Sequence, residues 1–214
     1  MSDHKQLEAV WGRLTAWLEA NAPLSYASLL PGVPEAAIEE ADAVLRQHLG
    51  FSLPAELGAL WRLCGGVDHQ EIEGDEEGEV GSGEFLPGGV IMSPVDALRP
   101  RMPYVTEPDG WGGAPVVPWL TGDEAGDEFG LWVGDIGVGR WPVDGMAGVG
   151  EPAAYPSIAA YLDTVHGTLT DGPADAMGPS VPGLVWGCLI WVNREAPLLD
   201  EALPHWTPLH CSCR

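Results

Sequence analysis

The stretch Leu49 to Gly66, LGFSLPAELGALWRLCGG, constrains this chain more than any other. Gly50 sits where a helix end wants a residue of positive φ. Ser52 is placed to accept a bond from the free N–H groups of a following helix, and Pro54 suits a first helical turn. Leu53, Leu57, Leu60, Trp61 and Cys64 then recur at helical spacing until Gly65-Gly66 stops the run. The pattern predicts two helices joined by a tight elbow, with their apolar faces pointing the same way. It carries no chemistry of its own, so function has to be read from charge and from the rest of the chain.

The neighbouring segments follow the same logic. Leu7, Val10, Trp11, Leu14, Trp17 and Leu18 form an apolar stripe, which predicts a first helix with Ser2 or Asp3 as cap and an end near Asn21-Ala22-Pro23. Tryptophans at this spacing read as core, not as a ligand platform. Pro34 opens the next helix, with Glu35, Glu39 and Glu40 in its early turns, where the helix dipole favours acids, and with Ile38, Ala41, Val44, Leu45 and Leu49 facing inward.

Phe85 to Met92 reads as a turn and a strand, and Ser93-Pro94 opens a short helix. Val116 to Leu120, Phe129 to Val133 and Val138 to Val143 are separated by Gly/Asp turns. They predict an antiparallel meander, with Pro118 at an edge or strand end. Pro156-Ser157 starts a helix through His166 that turns Ile158, Tyr161, Leu162 and Val165 inward. Residues 171–182 read as a linker, and Leu184 to Val192 as one apolar strand. The elements therefore run helix, helix, helix, strand, short helix, strands, helix, strand over residues 1–192, followed by an irregular tail over 193–214.

Composition restricts the partners. In 214 residues, enough for one substantial core, 32 acidic side chains face 9 basic ones for a net charge of −23, and Lys5 is the only lysine. Such a surface repels phosphate backbones and anionic lipid, which argues against nucleic acid and membrane as partners. It attracts a basic protein, mainly through a faster on-rate. The acids peak in residues 68–84, DHQEIEGDEEGEVGSGE, with eight acids and four glycines. Self-repulsion and glycine entropy predict an extended, mobile insertion with almost nothing to bury. The candidate partner-binding residues are Glu71, Glu73, Asp75, Glu76, Glu77 and Glu79. Tyr104 and Trp111, on a loop rich in Pro and Gly, are aromatic anchors for the same partner.

No catalytic constellation assembles. Asp123, Glu124, Asp127, Glu128 and Asp135 flank a hairpin without nearby histidines and read as turn chemistry, not as the cation site of a hydrolase. Gly134, Gly137 and Gly139 fail as a dinucleotide fingerprint, because Pro142 occupies the third-glycine position and no helix pattern follows. The acidic segment lacks the spacing of a calcium loop, and no H-E-x-x-H or G-x-S-x-G pattern occurs. Cys211-Ser212-Cys213 has no partner pair for a metal. Neither a catalytic residue nor a metal or other cofactor is therefore expected. Cys64 and Cys188 lie in apolar surroundings, as reduced thiols of a cytoplasmic protein do, and no targeting or membrane-spanning segment stands out.

Leu49-Gly50, Leu53-Pro54, Leu57, Trp61 and Gly65-Gly66 together resemble the "LG-x-x-LP-x-x-L…G" signature of the SUKH superfamily. That superfamily includes the yeast regulator of cell-wall assembly and many bacterial immunity proteins. Pro118-Trp119-Leu120, Gly126-Asp127 ahead of Leu131 to Val133, and Pro156-Ser157 with Tyr161-Leu162 extend the resemblance over about residues 7–190. It implies a single α+β domain over residues 1–192, with a mostly antiparallel central sheet and with N-terminal helices and further helices packed against it, and a role in binding proteins, not in catalysis. For bacterial members it implies neutralisation of a toxin domain, often a nuclease, whose basic cleft an acidic surface can occupy. The alternative it leaves open is an intracellular regulatory or scaffold domain. The acidic insertion and the tail depart from the family pattern.

Overall fold

The computed structural model describes residues 3–74, 78–87, 89–98, 115–122, 130–141, 153–172, 178–193 and 203–210. The fold is α+β, with helices and several antiparallel sheets. The first helix, α1 (Asp3–Asn21), buries Leu7, Leu14 and Leu18 completely, as the stripe predicts. After the short α2 (Pro23–Ala27) and strand β1 (Leu29–Pro31) come the two helices of the elbow, α3 (Glu35–His48) and α4 (Ala55–Leu63).

Gly50 takes φ +77, and the N–H groups of Leu49 and Gly50 both donate to the Leu45 carbonyl. The positive-φ helix end is therefore present. The entry into α4 differs from expectation. Pro54 is the residue before the first turn, not inside it, and Ser52 caps nothing; the N–H of Leu53 instead donates to Asp42 Oδ1 of α3 at 2.8 Å. An acid from the preceding helix thus holds the residue before the N-cap, and no side chain caps α4.

Cys64 leaves the helix, and Cys64–Val67 forms β2, antiparallel to β1. The two glycines do more than stop α4. A Cβ on Gly65 would lie 2.7 Å from the Pro31 carbonyl oxygen, so only glycine lets β2 approach β1 this closely.

Strand β5 (Val90–Ile91), helix α5 (Pro94–Ala97) and strands β6 (Val116–Thr121), β7 (Gly130–Gly134) and β8 (Gly137–Trp141) follow after the acidic segment. The four strands form one antiparallel sheet in the order β5-β6-β7-β8, which contains the expected meander. Pro118 lies inside β6 instead of at its end. It sits at a register shift, and β5 pairs only with Leu120 and Thr121, so the missing donor falls beyond the end of β5. Ser93 and Ser157 cap α5 and α6 (Ile158–Asp171) by accepting the N–H groups of Asp96 and Ala160. Helix α6 runs a full turn beyond His166.

Trp61, Trp119, Trp132 and Trp141 are all at most 1% exposed and belong to one apolar core with buried residues of α1, α4 and α6. Tyr161 meets Trp119 and Tyr155 edge to face, with ring centroids 5.6 and 5.1 Å apart.

The apolar run near the C-terminus is a hairpin, not one strand. Ser180–Val185 forms β9 and Cys188–Asn193 forms β10, with Val185 opposite Cys188. Trp186 and Gly187 turn the corner with φ of +45 and +81, the two positive angles of a type I′ turn. The expectation of an irregular tail also needs correction: Thr207–Pro208 forms β11, which pairs with β9 on the side away from β10. No helix among the described residues is long and apolar enough to cross a membrane.

Candidate partner-binding face

The acidic segment is the largest departure from expectation. Glu71–Glu73 (β3) and Glu79–Gly81 (β4) form an antiparallel hairpin, pairing Glu71 with Gly81, Ile72 with Val80 and Glu73 with Glu79. The segment was expected to have nothing to bury. It does: Ile72 and Val80 share one face, and Val80 is 6% exposed in a second apolar cluster with Val185 and Cys188, flanked by Ile72, Trp186, Ile190 and Trp206. Ring atoms of Trp186 fill the space a side chain on Gly74 would need. The hairpin therefore rests on the β9–β10 corner, and alternation sends the acids outward.

Its base is tied down by polar groups. Ser82 Oγ accepts the Gln70 N–H at 3.0 Å, and the Ser82 N–H donates to the Gln70 carbonyl at 2.9 Å. The hydroxyl of buried Ser28 donates to the Ser25 carbonyl, and the Asp68 N–H donates to the Ser28 carbonyl. Ser25 Oγ in turn accepts the Leu189 N–H of β10. Ser25 of α2 and Ser28 at its C-terminal cap thus join the root of the hairpin to its support.

The outward face carries Glu71, Glu73 and Glu79, all exposed, with the His69 ring lying over Gly81. Glu73 and Glu79 are directly opposite each other. Hydrogen bonds at Gln70–Ser82 and Gly74–Gly78 place them at a non-hydrogen-bonded position, where side chains come closest and like charges repel. Among the described residues no base pairs with any of these three carboxylates. The ion pairs lie elsewhere: Arg13 with Asp163, Arg46 with Asp42, and Arg62 with Glu35. Arg62 holds the Glu35 carboxyl below its ordinary range, chiefly by hydrogen bonding.

Of the other candidate residues, Asp75, Glu76, Glu77, Tyr104 and Trp111 lie outside the described residues, as do Asp123, Glu124, Asp127, Glu128, Cys211 and Cys213. Asp135 is exposed in the turn between β7 and β8. Among the described residues no three His, Cys, Asp or Glu side chains come together as a metal would require. Burial pushes the thiols of Cys64 and Cys188 up to about 11, so both stay protonated at neutral pH.

Sequence reasoning missed the apolar seat of the hairpin. The signal was the alternation Glu-Ile-Glu and Glu-Val-Gly, short enough to be hidden by the charge around it. No protein-family model, curated protein or solved structure matches the chain.

Proposed function

We propose that the chain is a non-enzymatic, cytoplasmic protein-binding domain of the immunity type implied by its SUKH resemblance, and that it neutralises a basic toxin domain such as a nuclease. The observation that carries this reading is the outward face of β3 and β4, where Glu71, Glu73 and Glu79 stand together with no cation paired to them among the described residues. Holding Glu73 opposite Glu79 costs the free protein stability, and an arriving Lys or Arg relieves that repulsion. The same field steers a cationic partner inward and mimics the phosphates that a nuclease cleft is built to hold.

Capture on immobilised protein at low salt tests the reading, comparing wild type with a Glu71→Gln, Glu73→Gln, Glu79→Gln variant. A basic protein from the native host should be retained by wild type, released by salt, lost from the variant, and inhibited in its own activity by the wild-type chain. Equal retention by both forms, or retention without inhibition, would overturn it.

A further inference from the structure

The β3 strand has a second property besides its charge. Its only strand partner among the described residues is β4, on one side. The ladder bonds at Gln70–Ser82 and Gly74–Gly78 fix the alternation, so the N–H and C=O groups of Ile72 turn inward to Val80 while those of Glu71 and Glu73 turn outward. No described residue bonds these outward groups, and both glutamates are exposed. An edge with four unpaired backbone groups is a template for one more strand.

The side chains say which strand fits. A residue paired opposite Glu71 or Glu73 projects from the same face as that glutamate, so it meets a carboxylate. The residue between them lies opposite Ile72 and faces the apolar side, where Val80 and Trp186 sit. A second copy of this edge would set Glu against Glu and is disfavoured.

We infer that β3 takes up an extended segment of a basic protein as an added antiparallel strand, in the pattern basic–apolar–basic, with the two bases opposite Glu71 and Glu73. The inference rests on the reading of the acidic face given above and adds the mode of engagement to it.

Four synthetic peptides titrated against the full chain at low salt provide the test. The first alternates Lys or Arg with Val over five residues, and the second has the same composition with its bases contiguous. The third and fourth are the alternating peptide N-methylated at its basic positions or at its valines. Backbone pairing uses only the N–H groups of the basic residues. The first and fourth peptides should therefore bind alike, while the second and third weaken at least about tenfold, a difference well within reach of two lost hydrogen bonds. Binding of the first peptide should also slow hydrogen exchange at the Glu71 and Glu73 amides while leaving Ile72, already bonded, unchanged. Equal binding of all four overturns strand addition while leaving an acidic docking face intact. Binding of none overturns strand addition as well, and the capture experiment then judges the acidic face separately.

Discussion

The carboxylate of Glu56, in the first turn of α4, accepts the N–H of Ile158 at 2.8 Å and, through its other oxygen, that of Ala159 at 2.8 Å. A helix of the N-terminal elbow thus caps the start of α6, a hundred residues downstream. The first N–H groups of a helix have no internal partner and carry its positive dipole end, so an anion there both bonds and neutralises. Glu56→Ala should cost about 2–3 kcal/mol, the range for two hydrogen bonds to a charged group in a half-buried place. Glu56→Gln should cost less, since it keeps an acceptor. Urea denaturation of the three proteins checks the order, and equal midpoints would show that the cap contributes nothing.

Two buried tryptophans differ in one bond. Trp61 Nε1–H donates to the Met92 carbonyl at 3.0 Å, whereas Trp119 Nε1–H finds no acceptor among the described residues. Replacing either by Phe removes similar volume. Only Trp61→Phe also strands a buried carbonyl, so it should be the more destabilising by about 1–3 kcal/mol. Thermal or urea unfolding of the pair measures the difference directly.

The opposed Glu73 and Glu79 make a prediction of opposite signs for stability and binding. Glu79→Lys turns a repulsive cross-strand pair into an attractive one, and should stabilise the hairpin by about 0.5–1 kcal/mol. Slower exchange of the Ile72 amide would report this. The same substitution should weaken capture of a basic partner. A variant that loosened the hairpin, or that bound more tightly, would contradict the placement of these side chains.

His166 on α6 has its pKa held below the ordinary 6.5, first by burial and then by Arg13, with Asp163 and Asp171 pulling the other way. The unfolded chain therefore binds a proton at a higher pH than the folded one. Stability is fully present above about 6.5 and declines as pH falls below that value towards the folded pKa. His166→Gln should flatten this part of the pH profile, measured as urea midpoints between pH 7 and pH 5.

The helices were legible in the sequence because their stripes are long. Six apolar positions of α1 and the LG-x-x-LP elbow leave few alternatives, and Ser93 and Ser157 mark their helices by the chemistry of capping. The meander was legible from its turns. What stayed hidden depends on partners distant in sequence. Nothing near Ser52 indicates that Asp42 takes the Leu53 N–H, and nothing near Glu56 indicates that it reaches Ile158. The apolar run before Asn193 concealed its turn, because Trp186 is an unusual residue for a positive φ. Strand β3 looked like coil because its three residues earn their order from Trp186 and Val185 on another hairpin.

That last dependence has a temporal side. Ile72 and Val80 are supported by Val185, Trp186, Cys188, Ile190 and Trp206, so a growing chain exposes its most acidic segment well before the platform beneath it has been synthesised. Until β9 and β10 emerge, the segment has only charge to offer and no ordered edge. Recognition through that edge would thus be confined to chains whose downstream half has already folded, and a nascent or prematurely ended copy could attract a cationic protein without gripping it.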